Sequence, residues 1–219
     1  MRSTFAPSKL VRLLDERAQV QVEPAGMDFA ERLGLWLNAF DAIRLQSAHQ
    51  ALRASTRPAA ARPAQAAAAL AQDVEKVRAV LSRAIAQEVE DDDAEAGCAP
   101  WQRRQAELQQ KMELMIRPLR EHVRQALAQA APRLRQLAVL DASFDEILAA
   151  REQELLAAVP ALAKRRFERL RADAPPHDAS WRRDFDKEWR ELLLAELELR
   201  LQPVTGLVEA LAQDSDLQA

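Results

Sequence analysis

The sequence predicts an all-α fold: an irregular bundle of six to eight helices, some long and partly coiled-coil-like. Two observations carry that expectation. Ala, Leu, Arg, Glu and Gln dominate the 219 residues, while only 4 Gly and no Tyr occur; the abundant side chains are those that lose least rotamer freedom in a helix. Apolar residues also recur at spacings of three and four between the breakers, the period of a helix face. With 48% hydrophobic and 30% charged residues, the chain has enough apolar material for a packed core.

Ser8 is a good N-cap for a first helix reaching about Val20, with Leu10, Leu13, Leu14 and Ala18 as its stripe. Pro24 and Gly26 end it. Asp28 followed by Glu31 resembles a capping box and opens a second helix. On that helix Phe29, Leu33, Trp36, Leu37, Phe40 and Ile43 fall within an arc of roughly 120°, leaving Leu35 and Leu45 outside it. The stripe is expected to be core, packing on helix one and on the body of the protein.

Residues 1–53 thus read as an N-terminal helical pair, and 54–63 as an Ala/Pro linker around Pro58 and Pro63. Residues 64–89 read as a connecting helix carrying Leu70, Val74, Val77, Leu81 and Ile85. An acidic loop over 90–99 follows, because Glu88, Glu90, Asp91, Asp92, Asp93 and Glu95 repel one another. Residues 100–213 form the main body and 214–219 a disordered tail. The body's first seam is Trp101, Leu108, Met112, Met115, Leu119, Val123 and Leu127, interrupted at Pro118 and Pro132. A break is expected at Asp141, then a capping box at "SFDE", Ser143 to Glu146, and a kink at Pro160. The last long helix starts near Ser180, is interrupted by Pro203 and Gly206, and stays ordered to about Leu211.

Little in this pattern is chemistry. The net charge of -3, from 31 basic and 34 acidic residues, disfavours nucleic acid as a partner. Cys98 is the single cysteine, and His49, His122 and His177 have no second ligand at zinc spacing. The acidic loop lacks the ligand pattern of an EF-hand, and phosphate-loop and nucleophile-elbow glycine motifs are absent. The chain is therefore expected to be no enzyme, with no catalytic, cofactor-binding or metal residue and no cofactor. Neither a signal peptide nor an uncharged apolar run of about 18 residues is present, so the expectation is a cytoplasmic protein without a membrane span.

Two clusters are candidates for contacts. "KRRFERLRA" gathers Lys164, Arg165, Arg166, Arg169 and Arg171 around Phe167 and Leu170. It suits an acidic partner, phosphate groups or a peripheral contact with anionic lipid, or else a solvated face laced with Glu152, Glu154 and Glu168. In the last helix Trp189, Leu193, Leu197 and Leu201 belong to a set of leucines spread over most of the circumference, which suits either the central core helix or a self-association face. A dimer seam there would make Leu193→Asp a folded monomer. Met112, Met115 and Ile116 read as core, or as an adaptable groove.

"FAERLGLWLNAFDAIRLQSAHQAL", "ALAKRRFERLR" and "LLLAELELRLQPVTGLVEAL" resemble a proteobacterial, all-helical family of domains of unknown function, over most of the chain. The resemblance carries no catalytic signature. It implies a bacterial, cytosolic helical protein, an accessory of an envelope-associated assembly. The expected function is that of a structural or adaptor protein working through protein partners or self-association; the alternative is a regulatory module that binds nucleic acid or anionic lipid through the basic helix.

Overall fold

The structure, a computed structural model, describes residues 8–18, 29–54, 63–89, 97–175, 178 and 180–216. Eight helices and no strand occur among them: α1 (Lys9–Ala18), α2 (Phe29–Trp36), α3 (Ala39–Ala54), α4 (Pro63–Ala86), α5 (Ala99–Gln129), α6 (Pro132–Leu156), α7 (Ala158–Asp173) and α8 (Ser180–Asp216). The stretches Glu90 to Ala96, at the centre of the acidic loop, and residues 55–62, most of the Ala/Pro linker, lie outside the described residues.

α8 is the axle of the bundle. It packs against α1, α4, α5, α6 and α7. A helix enclosed by five others needs apolar side chains nearly all round, and α8 has them: Phe185, Trp189, Leu192, Leu193, Leu197, Leu201, Val204, Leu207, Val208 and Leu211 are all buried. The opposing surfaces are Leu70, Val74, Leu81 and Ile85 of α4, and Leu108, Met112, Val123 and Leu127 of α5. At one end an aromatic cluster closes the core. Phe167 of α7 meets Trp181 and Phe185 of α8 edge-on, each at 5.0 Å between centroids, and Trp101 of α5 sits 5.5 Å from Phe167. The Trp101 indole N–H donates to the Asp186 carboxylate at 3.3 Å.

Several helix boundaries differ from the sequence reading, each for a local reason. α6 runs unbroken through Asp141. Ser143 does not cap a new helix; its hydroxyl donates back to the Val139 carbonyl at 2.9 Å, a bond that lets Ser sit inside a helix. Asp141 and Asp145 are held by Arg120 and Arg124 of α5, so the acidic residues expected at a helix start instead tie two helices together. Pro118 and Pro203 lie inside continuous helices. Pro160 stands in the first turn of α7, where a missing N–H costs nothing, and the chain turns just before it at Ala157. α8 continues past Leu211 to Asp216, and the stretch expected as a disordered tail contains buried Asp214, paired with Arg133 of α6.

The largest correction concerns the second helix. It is two helices, because Asn38 takes over as a cap. The Asn38 side-chain oxygen accepts from the Phe40 and Asp41 N–H groups at 2.8 and 3.0 Å, while Asp41 accepts from the Asn38 N–H at 3.0 Å. This is a reciprocal capping box with Asn and Asp in its two roles. Among the described helices, α3 then leans on α6 alone.

Candidate functional site

The basic run on α7 does not act as one patch. Val159, Ala163 and Phe167 turn inward and anchor the helix. Arg166 follows them: its guanidinium donates twice to the Glu188 carboxylate of α8, both at 2.8 Å. That bidentate bond holds the Arg166 pKa above its ordinary value, against the opposing effect of partial burial. Lys164 lies 3.8 Å from Glu168 one turn on. Arg165 and Arg171 are exposed and Arg169 half-buried, and none of the three pairs with a carboxylate among the described residues. A direct consequence is that Arg166→Ala should lower stability by about 1–3 kcal/mol, as the loss of a charged hydrogen bond does. Arg165→Ala should change it by less than about 0.5 kcal/mol. Paired urea titrations of the two variants check this.

Trp189, Leu193, Leu197 and Leu201 are fully enclosed within one chain. They are core, and the folded chain offers none of them to a second copy. Met112 and Ile116 are buried as well, with Met115 packed beside them; Met112 and Ile116 also form the floor of a cleft described below.

Polar groups do enter the bundle, but they are engaged. Glu196, fully buried on α8, accepts from the Arg200 guanidinium at 2.8 Å and from the Gln109 amide at 3.0 Å. Beside it, a cleft of about 550 Å³ between α5, α6 and α8 is lined by Ile116, Arg117, Arg120, Asp145 and Arg200 among others. Its arginines Arg120 and Arg124 are already bound to Asp141 and Asp145 at 2.6–2.9 Å. An anion approaching Arg120 or Arg124 would have to displace those carboxylates. Cys98 is buried, and burial pushes its thiol up to about 11, so it is not a thiolate at neutral pH. His49 and His122 are exposed, and His177 lies outside the described residues. Among the described residues no group of three or more His, Cys, Asp or Glu is arranged to hold a metal ion. Nor is any described helix long and apolar enough to cross a membrane.

The surface that stands out includes Trp36, Phe40 and Ile43, which the sequence reading placed in the core stripe, and Leu35, which it left outside. Leu35, Trp36, Phe40 and Ile43 are 71%, 40%, 77% and 60% exposed. Leu33, Leu37, Asp41 and Leu45 are the half-buried positions of this stretch, and α3 packs on α6. Leu45, outside the expected stripe, faces inward; Phe40 and Ile43, within it, face out. Arg44 pairs with Glu146 of α6 at 3.0 Å, and the Arg151 guanidinium lies 5.6 Å from the centre of the Trp36 ring. Moving back along α2–α3 therefore means moving forward along α6. Leu155, one turn beyond Arg151 and 52% exposed, extends the same apolar ridge at its α2 end. No feature of the sequence marked this face as outward, since an amphipathic stripe looks the same whether a neighbour covers it or not.

A family model described as "Protein of unknown function (DUF3348)" matches residues 1–213, and the chain belongs to that family. No curated protein matches the chain, and no solved structure does.

Proposed function

We propose that this family member is a non-enzymatic helical scaffold that works by docking the α2–α3 ridge onto protein. The observation that supports this reading is the contrast between two apolar surfaces of one molecule. Leu192, Leu193, Leu197, Leu201, Leu207 and Leu211 of α8 are buried inside the bundle, while four large apolar residues on one short helical pair are exposed. Exposed apolar patches of several hundred Å² on a folded domain mark interaction sites. Trp and Phe are also the side chains that contribute most at such sites. The setting carried by the sequence resemblance is the cytosol, as an accessory of an envelope-associated assembly.

Binding of nucleic acid or anionic lipid through α7 has less support, because Arg166 and Lys164 are engaged by Glu188 and Glu168. A test separates the two. Tagged wild type, Phe40→Glu/Ile43→Glu and Arg165→Glu/Arg169→Glu are purified under identical conditions with mild cross-linking. A defined cross-linked species should be retained by wild type and by the arginine variant, and lost by the ridge variant. Equal recovery from the ridge variant would refute the reading.

A further inference from the structure

We infer that the protein docked on the ridge is a second copy of this chain, an inference that rests on reading the ridge as a docking face. Area is the first argument. From their fractional exposures, Leu35, Trp36, Phe40, Ile43 and Leu155 leave roughly 600 Å² open, when a large aromatic side chain offers about 150–250 Å² in all. A standard interface removes about 800 Å² from each partner, so the apolar ridge and a thin polar rim supply one full side. Charge is the second argument. Around the ridge stand Glu31, Glu146 and Glu154 together with Arg44 and Arg151. A rim of both signs with an acidic surplus repels phosphate-bearing surfaces, whether lipid or nucleic acid. Arg44 pairs with Glu146 and Arg151 with Glu154 within the chain, and a two-fold interface lets these same pairs be exchanged between two copies without leaving a charge unmatched.

The inference is tested by light scattering coupled to size exclusion, with the full chain loaded from low micromolar to roughly 100 μM. Wild type should approach twice the 24.6 kDa of one chain as concentration rises. Phe40→Glu/Ile43→Glu should stay at a single chain's mass over the whole range, a shift in apparent dissociation constant of at least about a hundredfold. Both side chains are exposed in the single chain, so helical circular dichroism and the thermal midpoint of the variant measured at low concentration should match wild type. A variant that loses helicity is replaced by Leu35→Lys/Phe40→Lys, which opens the same ridge from its other end. A wild type of single-chain mass at every concentration would overturn the inference, as would a ridge variant that still doubles. If wild type has single-chain mass yet yields a cross-linked species with a different protein that Phe40→Glu/Ile43→Glu loses, the second-copy inference falls and the docking reading survives. Wild type of single-chain mass that co-sediments with phosphatidylglycerol vesicles would overturn both.

Discussion

Leu193→Asp should abolish cooperative folding. Leu193 is completely enclosed in the core. Burying an unpaired charge costs several kcal/mol even after the structure relaxes, and the methyl groups lost add a cavity cost of about 2–5 kcal/mol. Together these rival the whole stability of an ordinary domain, about 5–15 kcal/mol. The variant should show no sigmoidal thermal or urea transition and should bind a hydrophobic dye. Leu193→Ala should keep a transition, displaced by the cavity cost alone. Leu114→Asp, at an exposed leucine of α5, should leave the wild-type curve unchanged. A well-folded Leu193→Asp chain of reduced mass, the outcome a dimer seam demands, would contradict the packing described here.

Arg200→Ala should cost about 3 kcal/mol or more, because it strands Glu196 inside the protein with only the Gln109 amide for company. The size of the effect comes from the partner left behind. Arg200 also approaches Glu113 at 3.9 Å, but that carboxylate is exposed and can turn to water. Replacing both members, Glu196→Leu with Arg200→Met, should therefore recover most of the loss: an apolar pair of similar volume needs no desolvation to be offset, and Gln109 is only half-buried. Urea unfolding of the two single variants and the double variant reads the coupling directly. Additive losses in the double variant would mean that the pair is not the unit the geometry makes it.

How much of this was legible before the structure depends on which forces decided each feature. The Ser8 cap was legible: its hydroxyl accepts from the Val11 N–H at 3.3 Å, a bond between neighbours in sequence. So was the central place of α8, since leucine on all sides of a helix leaves it no stable position on a surface. The join at Asn38 was also written locally, in an Asn followed three residues later by Asp, but the continuous stripe across it suggested a single helix. The arginine clasp on Asp141 and Asp145 was not legible, because Arg120 and Arg124 belong to a different helix. Nor was the division of the basic run, where one arginine of four is claimed by Glu188 of another element.

By itself, then, the sequence determined that this chain is a bundle of helices, where most of them begin, and which long helix lies at the centre. Those outcomes rest on rotamer entropy, caps and apolar periodicity, all of which act within a few residues of chain. Only the tertiary structure decided which apolar stripes are covered. Burial depends on a neighbour arriving from elsewhere in the chain, and α6 packs on α3, where Leu45 is half-buried, while Phe40 and Ile43 are left to the solvent.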